Sequence, residues 1–147
     1  MTILMKTMTR GVFLDSDVII DFLSGRMPFA NDSKRVIALS LKRKVELVTS
    51  AVVICNVYYI LSKLSDKKVA AKAINGLLPY IGILPIHKTT VEKAFQSRSP
   101  DLEDAIQFYA VKENPQIVTI CTRNIKDFPK SGLSVVTPKE LLARLEV

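Results

Sequence analysis

An apolar run that ends in a carboxylate is the feature that most constrains how this chain can fold. Residues 12–14 are Val, Phe and Leu, Asp15 follows them directly, and a helical pattern begins within two residues. A short apolar run followed at once by a helix predicts a buried strand of an α/β sheet. Ligands of such sheets bind outside the carboxyl ends of the strands. We therefore expect Asp15 to lie at a binding edge.

Strand and helix patterns alternate along the 147 residues. Strands are predicted at about 11–15, 45–49, 81–86, 117–121 and 134–136. Helices are predicted at about 17–24, 29–43, 51–63, 67–78, 89–97, 99–113 and 138–145. This alternation predicts an α/β fold, a three-layer α/β/α sandwich with a central parallel sheet of four to five strands. We expect a single domain over residues 11–147, preceded by a loose leader over residues 1–10.

The composition narrows the class of protein. An apolar fraction of 48% is enough for a full core, and a net charge of +7 favours a polyanionic partner such as nucleic acid. The two cysteines, Cys55 and Cys121, lie in apolar runs without disulfide or zinc spacing, so we expect buried thiols in a reducing, cytoplasmic setting. The helix at 51–63 is apolar almost all round, which predicts deep burial or a subunit interface. No apolar stretch reaches the roughly 20 residues of a membrane span.

Acidic residues follow the first strand and open a later helix. Asp17 is interpreted equally well as a helix cap or as a functional acid, whereas Asp21 is expected to face solvent. In the second cluster, Asp101 and Asp104 are spaced i, i+3 and share one helix face, while Glu103 is expected to point elsewhere. Ser99 is expected to cap that helix. A carboxylate beside a buried helix face is costly unless it is paired or bound to a metal.

A polar segment, Thr122 to Asn124, follows the fourth predicted strand and should reach the same edge as Asp15. Arg123 could contact a phosphate. Two carboxylates with neutral oxygen donors form a plausible site for Mg²⁺ or Mn²⁺, which need only one or two protein carboxylates besides water and phosphate oxygens.

Five short motifs together resemble those of the PIN-domain nucleases, close to the VapC-type toxins. They are Leu14-Asp15-Ser16-Asp17, the segment from Ser50 to Asn56, Asp101-Leu102-Glu103-Asp104-Ala105, Thr122-Arg123-Asn124-Ile125-Lys126-Asp127-Phe128 and Thr137-Pro138-Lys139-Glu140-Leu141. They occur in the family's order and span residues 11 to 142. The chain departs from the family at Asn56, where a Glu is usual.

The resemblance implies a Mg²⁺- or Mn²⁺-dependent ribonuclease with Asp15 and Asp104 as metal ligands. Asp101 would be an additional acid beside the metal, and Asn124 would position metal-bound water. Asn56 cannot act as a general base, although it can donate an oxygen or orient water. The resemblance also implies RNA as substrate, a small antitoxin as partner and a homodimer.

Two other functions remain open at this stage. The departure at Asn56 suits a weak or inactive PIN fold that binds RNA or an antitoxin without cleavage. The pair Asp15-x-Asp17 after an apolar run also resembles the first motif of haloacid-dehalogenase-type phosphatases, in which the first Asp is a nucleophile. The late carboxylate pair of those phosphatases is missing here.

Overall fold

A computed structural model describes residues 10–128 and 132–145 of the chain. Its centre is a sheet of five strands, which are β1 (Arg10–Leu14), β2 (Val45–Ser50), β3 (Gly82–Leu84), β4 (Ile117–Cys121) and β5 (Ser134–Val136). All neighbouring strands are parallel, in the order β3-β2-β1-β4-β5. The predicted leader lies outside the described residues, apart from Arg10.

Seven α-helices within the described ranges flank the sheet in a three-layer α/β/α arrangement. They are α1 (Ser16–Ser24), α2 (Ala30–Leu41), α3 (Ala51–Leu64), α4 (Lys67–Leu77), α5 (Lys88–Gln96), α6 (Leu102–Lys112) and α7 (Pro138–Leu145). Helix α1 packs on α2 and α3, α2 packs on α7, and α5 packs on α6. The predicted fold class is confirmed.

The central strand β1 carries the most deeply buried part of the core. Val12, Phe13 and Leu14 are at most 2% exposed, because the strand has neighbours on both sides and helices on both faces. The hydroxyl of Thr49 at the end of β2 donates a hydrogen bond of 2.8 Å to the carbonyl of Leu14. The backbone that presents Asp15 is therefore fixed by the neighbouring strand as well as by its own ladder.

Helix α3 is less buried than its apolar sequence predicts. Only Val53, Val57 and Leu61 are buried in it, at a spacing of four residues, so one stripe of the helix faces the core. The prediction of a buried thiol is wrong for Cys55, which is exposed on the opposite face, and is confirmed for Cys121. In the part of the chain that the structure describes, no helix is both long and apolar enough to cross a bilayer.

The N-cap of helix α6 lies two residues later than predicted. It is Asp101 and not Ser99, because the Oδ1 atom of Asp101 accepts a 3.0 Å hydrogen bond from the backbone N–H of Asp104. Acids are favourable in a first helical turn, where they interact with the exposed N–H groups and the helix dipole. Asp104 lies three residues after the cap, within that turn.

Candidate active site

The carboxylate of Asp15 is held by both of its oxygens. Its Oδ1 accepts a 2.7 Å hydrogen bond from the backbone N–H of Ser16, which makes Asp15 the N-cap of α1. Its Oδ2 accepts a 2.8 Å bond from the hydroxyl of Thr122, a residue that follows β4. Asp15 is only 5% exposed, and its burial raises the pKa of the carboxyl even though these hydrogen bonds oppose the change. The group has a fixed orientation at the centre of the sheet edge.

Asp17 joins the first turn of α1 to the segment after β4. Its Oδ2 accepts hydrogen bonds from the backbone N–H of Arg123 at 3.0 Å and from Nδ2 of Asn124 at 3.2 Å. Its Oδ1 is buried and has no hydrogen-bond partner among the described residues. Burial, followed by the negative charge of Asp15, raises the pKa of Asp17 to about 6. Asp17 therefore does not cap the helix, and it brings Asn124 to the edge.

The start of α6 adds a second group of carboxyls to the same edge. The pKa of Asp104 rises to about 7, mainly through burial and then through the charges of Asp101 and Asp15. The charge of Asp15 contributes to this rise, so the start of α6 lies near enough to the carboxyl end of β1 to feel it, although 89 positions separate Asp15 and Asp104 in sequence. Asp101 itself is exposed; it acts on Asp104 through its charge and as the helix cap.

Asn56 approaches the edge from α3 and contacts Glu103, which was expected to point away from it. Its Nδ2 donates to Oγ of Ser16 at 3.2 Å and to Oε2 of Glu103 at 3.4 Å. The prediction that Glu103 points elsewhere is wrong. Glu103 meets α3 because Asn56 lies against the first turn of α6. Burial, followed by the charge of Asp15, raises the pKa of Glu103.

Asp21 and Arg123 form a buried ion pair beside these carboxyls. The guanidinium of Arg123 donates from Nε to Oδ2 of Asp21 at 2.6 Å and from Nη2 to Oδ1 at 3.3 Å, and it lies 3.9 Å from the ring centre of Phe29. Asp21 is fully buried, so the prediction of a solvent-facing Asp21 is wrong. Asp21 lies one helical turn after Asp17, and both side chains contact Arg123 in the segment that follows β4. The charge of Arg123 is already compensated inside the protein.

The donor set fits a hard divalent cation that keeps most of its water. No three of the Asp, Glu, His and Cys side chains in the described ranges form a group able to enclose a metal ion. Mg²⁺ does not need such a group, since one or two carboxylates with water and phosphate oxygens suffice. Carboxyls with raised pKa values gain most from a neighbouring cation. The fully buried amide of Gln107 lowers the pKa of Asp15, and neither of its polar atoms is otherwise hydrogen-bonded within the described part.

Comparison with known proteins decides the family. The sequence matches the PIN domain family over residues 11–126. The chain belongs to that family. It is 34% identical to Ribonuclease VapC1 of Aquifex aeolicus over 139 residues, which cover 90% of this chain and 94% of the relative. The predicted membership of the PIN family, close to the VapC proteins, is confirmed.

Solved structures of low identity share the fold. VapC20 of Mycobacterium tuberculosis, a toxin that cleaves the sarcin-ricin loop, has a TM-score of 0.61 at 16% identity, with 74% of this chain and 86% of that chain covered. VapBC2 of Rickettsia felis, bound to a fragment of its promoter DNA, has a TM-score of 0.61 at 15% identity, with 85% and 96% covered. FitAB bound to DNA has a TM-score of 0.56 at 16% identity, with 86% and 94% covered. PIN ribonucleases in general depend on divalent metals.

Proposed function

We propose that this PIN-domain protein is a metal-dependent endoribonuclease in which Asp15 and Asp104 hold a Mg²⁺ or Mn²⁺ ion. The observation that carries the proposal is the meeting of α1, α3 and α6 at the carboxyl edge of a PIN-type sheet, where Asn56 donates hydrogen bonds to Ser16 and Glu103, the sequence neighbours of Asp15 and Asp104. The identity to a protein named as a ribonuclease over nearly the whole chain supports the activity. A bound ion of this kind polarises a phosphodiester and activates water.

The chain's own residues prepare this edge in three ways. Thr122 and the backbone of Ser16 hold the Asp15 carboxylate in one orientation. Asp17 fixes Asn124, which we assign to positioning a water molecule next to the ion. Asp101 adds negative charge beside Asp104 and thereby favours a bound cation.

The substrate that suits the charge distribution is RNA. The chain carries 21 Lys and Arg residues against 14 Asp and Glu residues. Cationic side chains around an acidic edge would bind phosphates and place one of them at the ion, and such binding weakens as salt rises. We expect cleavage to slow steeply with ionic strength.

We further propose that a small antitoxin binds this protein and that the protein forms a homodimer. The solved VapBC2 and FitAB structures, each bound to DNA, support the first part by analogy of fold. An antitoxin that covers the acidic edge would prevent RNA from reaching it. A gene for a small acidic protein next to this one would support the pairing.

A second candidate function is a PIN fold that binds RNA or an antitoxin without cleavage. The amide of Asn56 favours it, because an amide replaces the usual carboxylate and already donates to Glu103 and Ser16. The family match gives no support to the haloacid-dehalogenase alternative.

Incubation with a mixed pool of RNA in Mg²⁺ or Mn²⁺, with and without chelator, tests the proposal. We expect metal-dependent cleavage that Asp15→Asn and Asp104→Asn each abolish. Glu92→Gln, an exposed acid on α5, is the matched control and should cleave as the wild type does. RNA binding without cleavage would favour the second candidate. Hydrolysis of p-nitrophenyl phosphate without RNA cleavage would favour a phosphatase.

A further inference from the structure

A cleft opens beside the carboxyl edge, and the proposed metal site does not use it. It lies between the segment Pro28–Asp32 at the start of α2 and Thr137–Lys139 at the start of α7, with Arg123 in its wall. We name it the α2–α7 cleft. Its volume of about 480 Å³ lies within the range of about 300–1,000 Å³ that small-molecule sites occupy.

The α2–α7 cleft is continuous with the carboxyl edge. Arg123 lines the cleft with its side chain, while its backbone N–H donates to Asp17 on the edge. On the other side, the backbone N–H of Thr122 donates to the carbonyl of Val136 at 2.9 Å, so Thr137 lies next to the end of β4. A polymer with one phosphate at the edge would place a neighbouring nucleotide at the cleft.

The lining offers flat surfaces on which a planar group such as a base can stack. Three of its side chains are rings, those of Pro28, Phe29 and Pro138. The charge of Arg123 is compensated by the buried Asp21. Of the other charged side chains in the lining, Asp32 lies 3.9 Å from Arg35, and Lys139 adds a cation. Proteins bind unpaired bases by stacking on aromatic rings and guanidinium planes, with hydrogen bonds to the base edges.

We propose that the α2–α7 cleft binds one unpaired nucleobase of the RNA, adjacent to the phosphate that is cleaved. The base packs against the Phe29 and Arg123 pair, and Asp32 accepts hydrogen bonds from its edge. Because a carboxylate only accepts, bases that carry an amino group, such as guanine, are favoured over uracil. The inference rests on the proposed ribonuclease function and adds to it a determinant of where the enzyme cuts.

A series of abasic oligonucleotides tests the cleft. One short single-stranded RNA with a single cleavage site is prepared with each base near that site removed in turn. Single-turnover cleavage in Mn²⁺ and binding in chelator, by fluorescence anisotropy, are measured for every member. We expect loss of one base next to the cut to weaken binding or cleavage about tenfold or more, since stacking on an aromatic side chain contributes that much.

Variants of the protein assign the effect to the cleft. In Phe29→Ala the sensitivity to that abasic position should largely disappear, because the ring is already gone. Phe29→Leu keeps most of the bulk and should lose the same sensitivity. Asp32→Asn should keep it but change which base is preferred. Phe95→Ala, a more exposed aromatic outside the cleft, is the control and should respond as the wild type does.

The outcomes separate this inference from the proposed function. Cleavage with no position sensitive to base removal, or with that sensitivity unchanged in Phe29→Ala, overturns the base site and leaves the nuclease intact. Absence of cleavage with a base effect on binding that Phe29→Ala removes supports the base site and refutes the nuclease. A flat abasic series combined with loss of binding of a co-purified partner protein in Phe29→Ala would assign the cleft to protein docking and overturn the inference.

Discussion

The substitution Asp104→Asn should stabilise the metal-free protein at pH 8, although it removes a proposed metal ligand. In the folded protein, burial and the charges of Asp101 and Asp15 raise the pKa of Asp104 from 3.8 to about 7. A carboxyl whose folded pKa is raised contributes stability that is fully present below pH 3.8 and is lost as the pH rises through about 7. The wild-type carboxylate is therefore a source of instability above neutral pH, and an amide in its place is not.

The magnitude follows from the same change. A rise in pKa from 3.8 to about 7 lowers the free energy of unfolding by at most about 4 kcal/mol, at about 1.4 kcal/mol per pKa unit. The side chain is partly exposed, and screening by solvent reduces the gain to about 2 kcal/mol. With a urea m-value of about 2 kcal/mol/M, the unfolding midpoint of Asp104→Asn should lie about 1 M above that of the wild type at pH 8.

Urea unfolding in chelator, at pH 4 and at pH 8, checks this prediction. The two proteins should unfold alike at pH 4, where both side chains are neutral in the folded state. Glu92→Gln, which removes an exposed acid, should match the wild type at both pH values. Metal should then reverse the order at pH 8, because at 100 times the dissociation constant an ion stabilises its binding protein by about 2.7 kcal/mol. An Asp104→Asn variant that is less stable than wild type in chelator at pH 8 would refute the reasoning.

Three further predictions concern the supports of the edge. Arg123→Met should lower the free energy of unfolding in urea by about 3 kcal/mol, because it leaves the buried Asp21 without its bidentate partner. Arg123→Lys should restore only part of this loss, and full recovery would argue against a bidentate role. Thr49→Val should lower the free energy of unfolding by about 1–2 kcal/mol in the same assay, because it leaves the last carbonyl of β1 without this buried hydrogen bond. An unchanged unfolding midpoint would contradict that role. Asn56→Glu should raise Mn²⁺ affinity in calorimetry and lower stability in chelator, because it sets a second carboxylate against Glu103; if neither changes, position 56 lies outside the site.

The sequence was sufficient to predict which residues meet at the carboxyl edge of β1, where the proposed site lies. Alternating strand and helix patterns imply parallel strands whose ends meet, and that rule is enough to bring Asp15 and the Thr122 segment together. The rule does not give the hydrogen-bond partner of each carboxylate oxygen. The role of Asp17 depends on the backbone N–H of Arg123, 106 positions away, and no local pattern specifies that contact.

The mistaken predictions concern the direction that a side chain faces. A helical pattern gives the angle between Asp17 and Asp21 but not the element that their face meets, so the ion pair with Arg123 could not be predicted. Similarly, the spacing of Glu103 from Asp104 does not reveal that Asn56 approaches from another helix. The apolar sequence of α3 gave no sign that Cys55 would be exposed, because a helix over a sheet buries only one stripe.

The position of β4 next to the first strand has a consequence for the timing of synthesis. Asp15 leaves the ribosome early, whereas the hydroxyl that orients it belongs to a residue 107 positions later. Until that late strand inserts beside β1, the carboxylate of Asp15 lacks the hydrogen bond that orients it. If Asp15 acts as proposed, we expect a growing chain to be inert toward the RNA around it until translation of the domain is nearly complete.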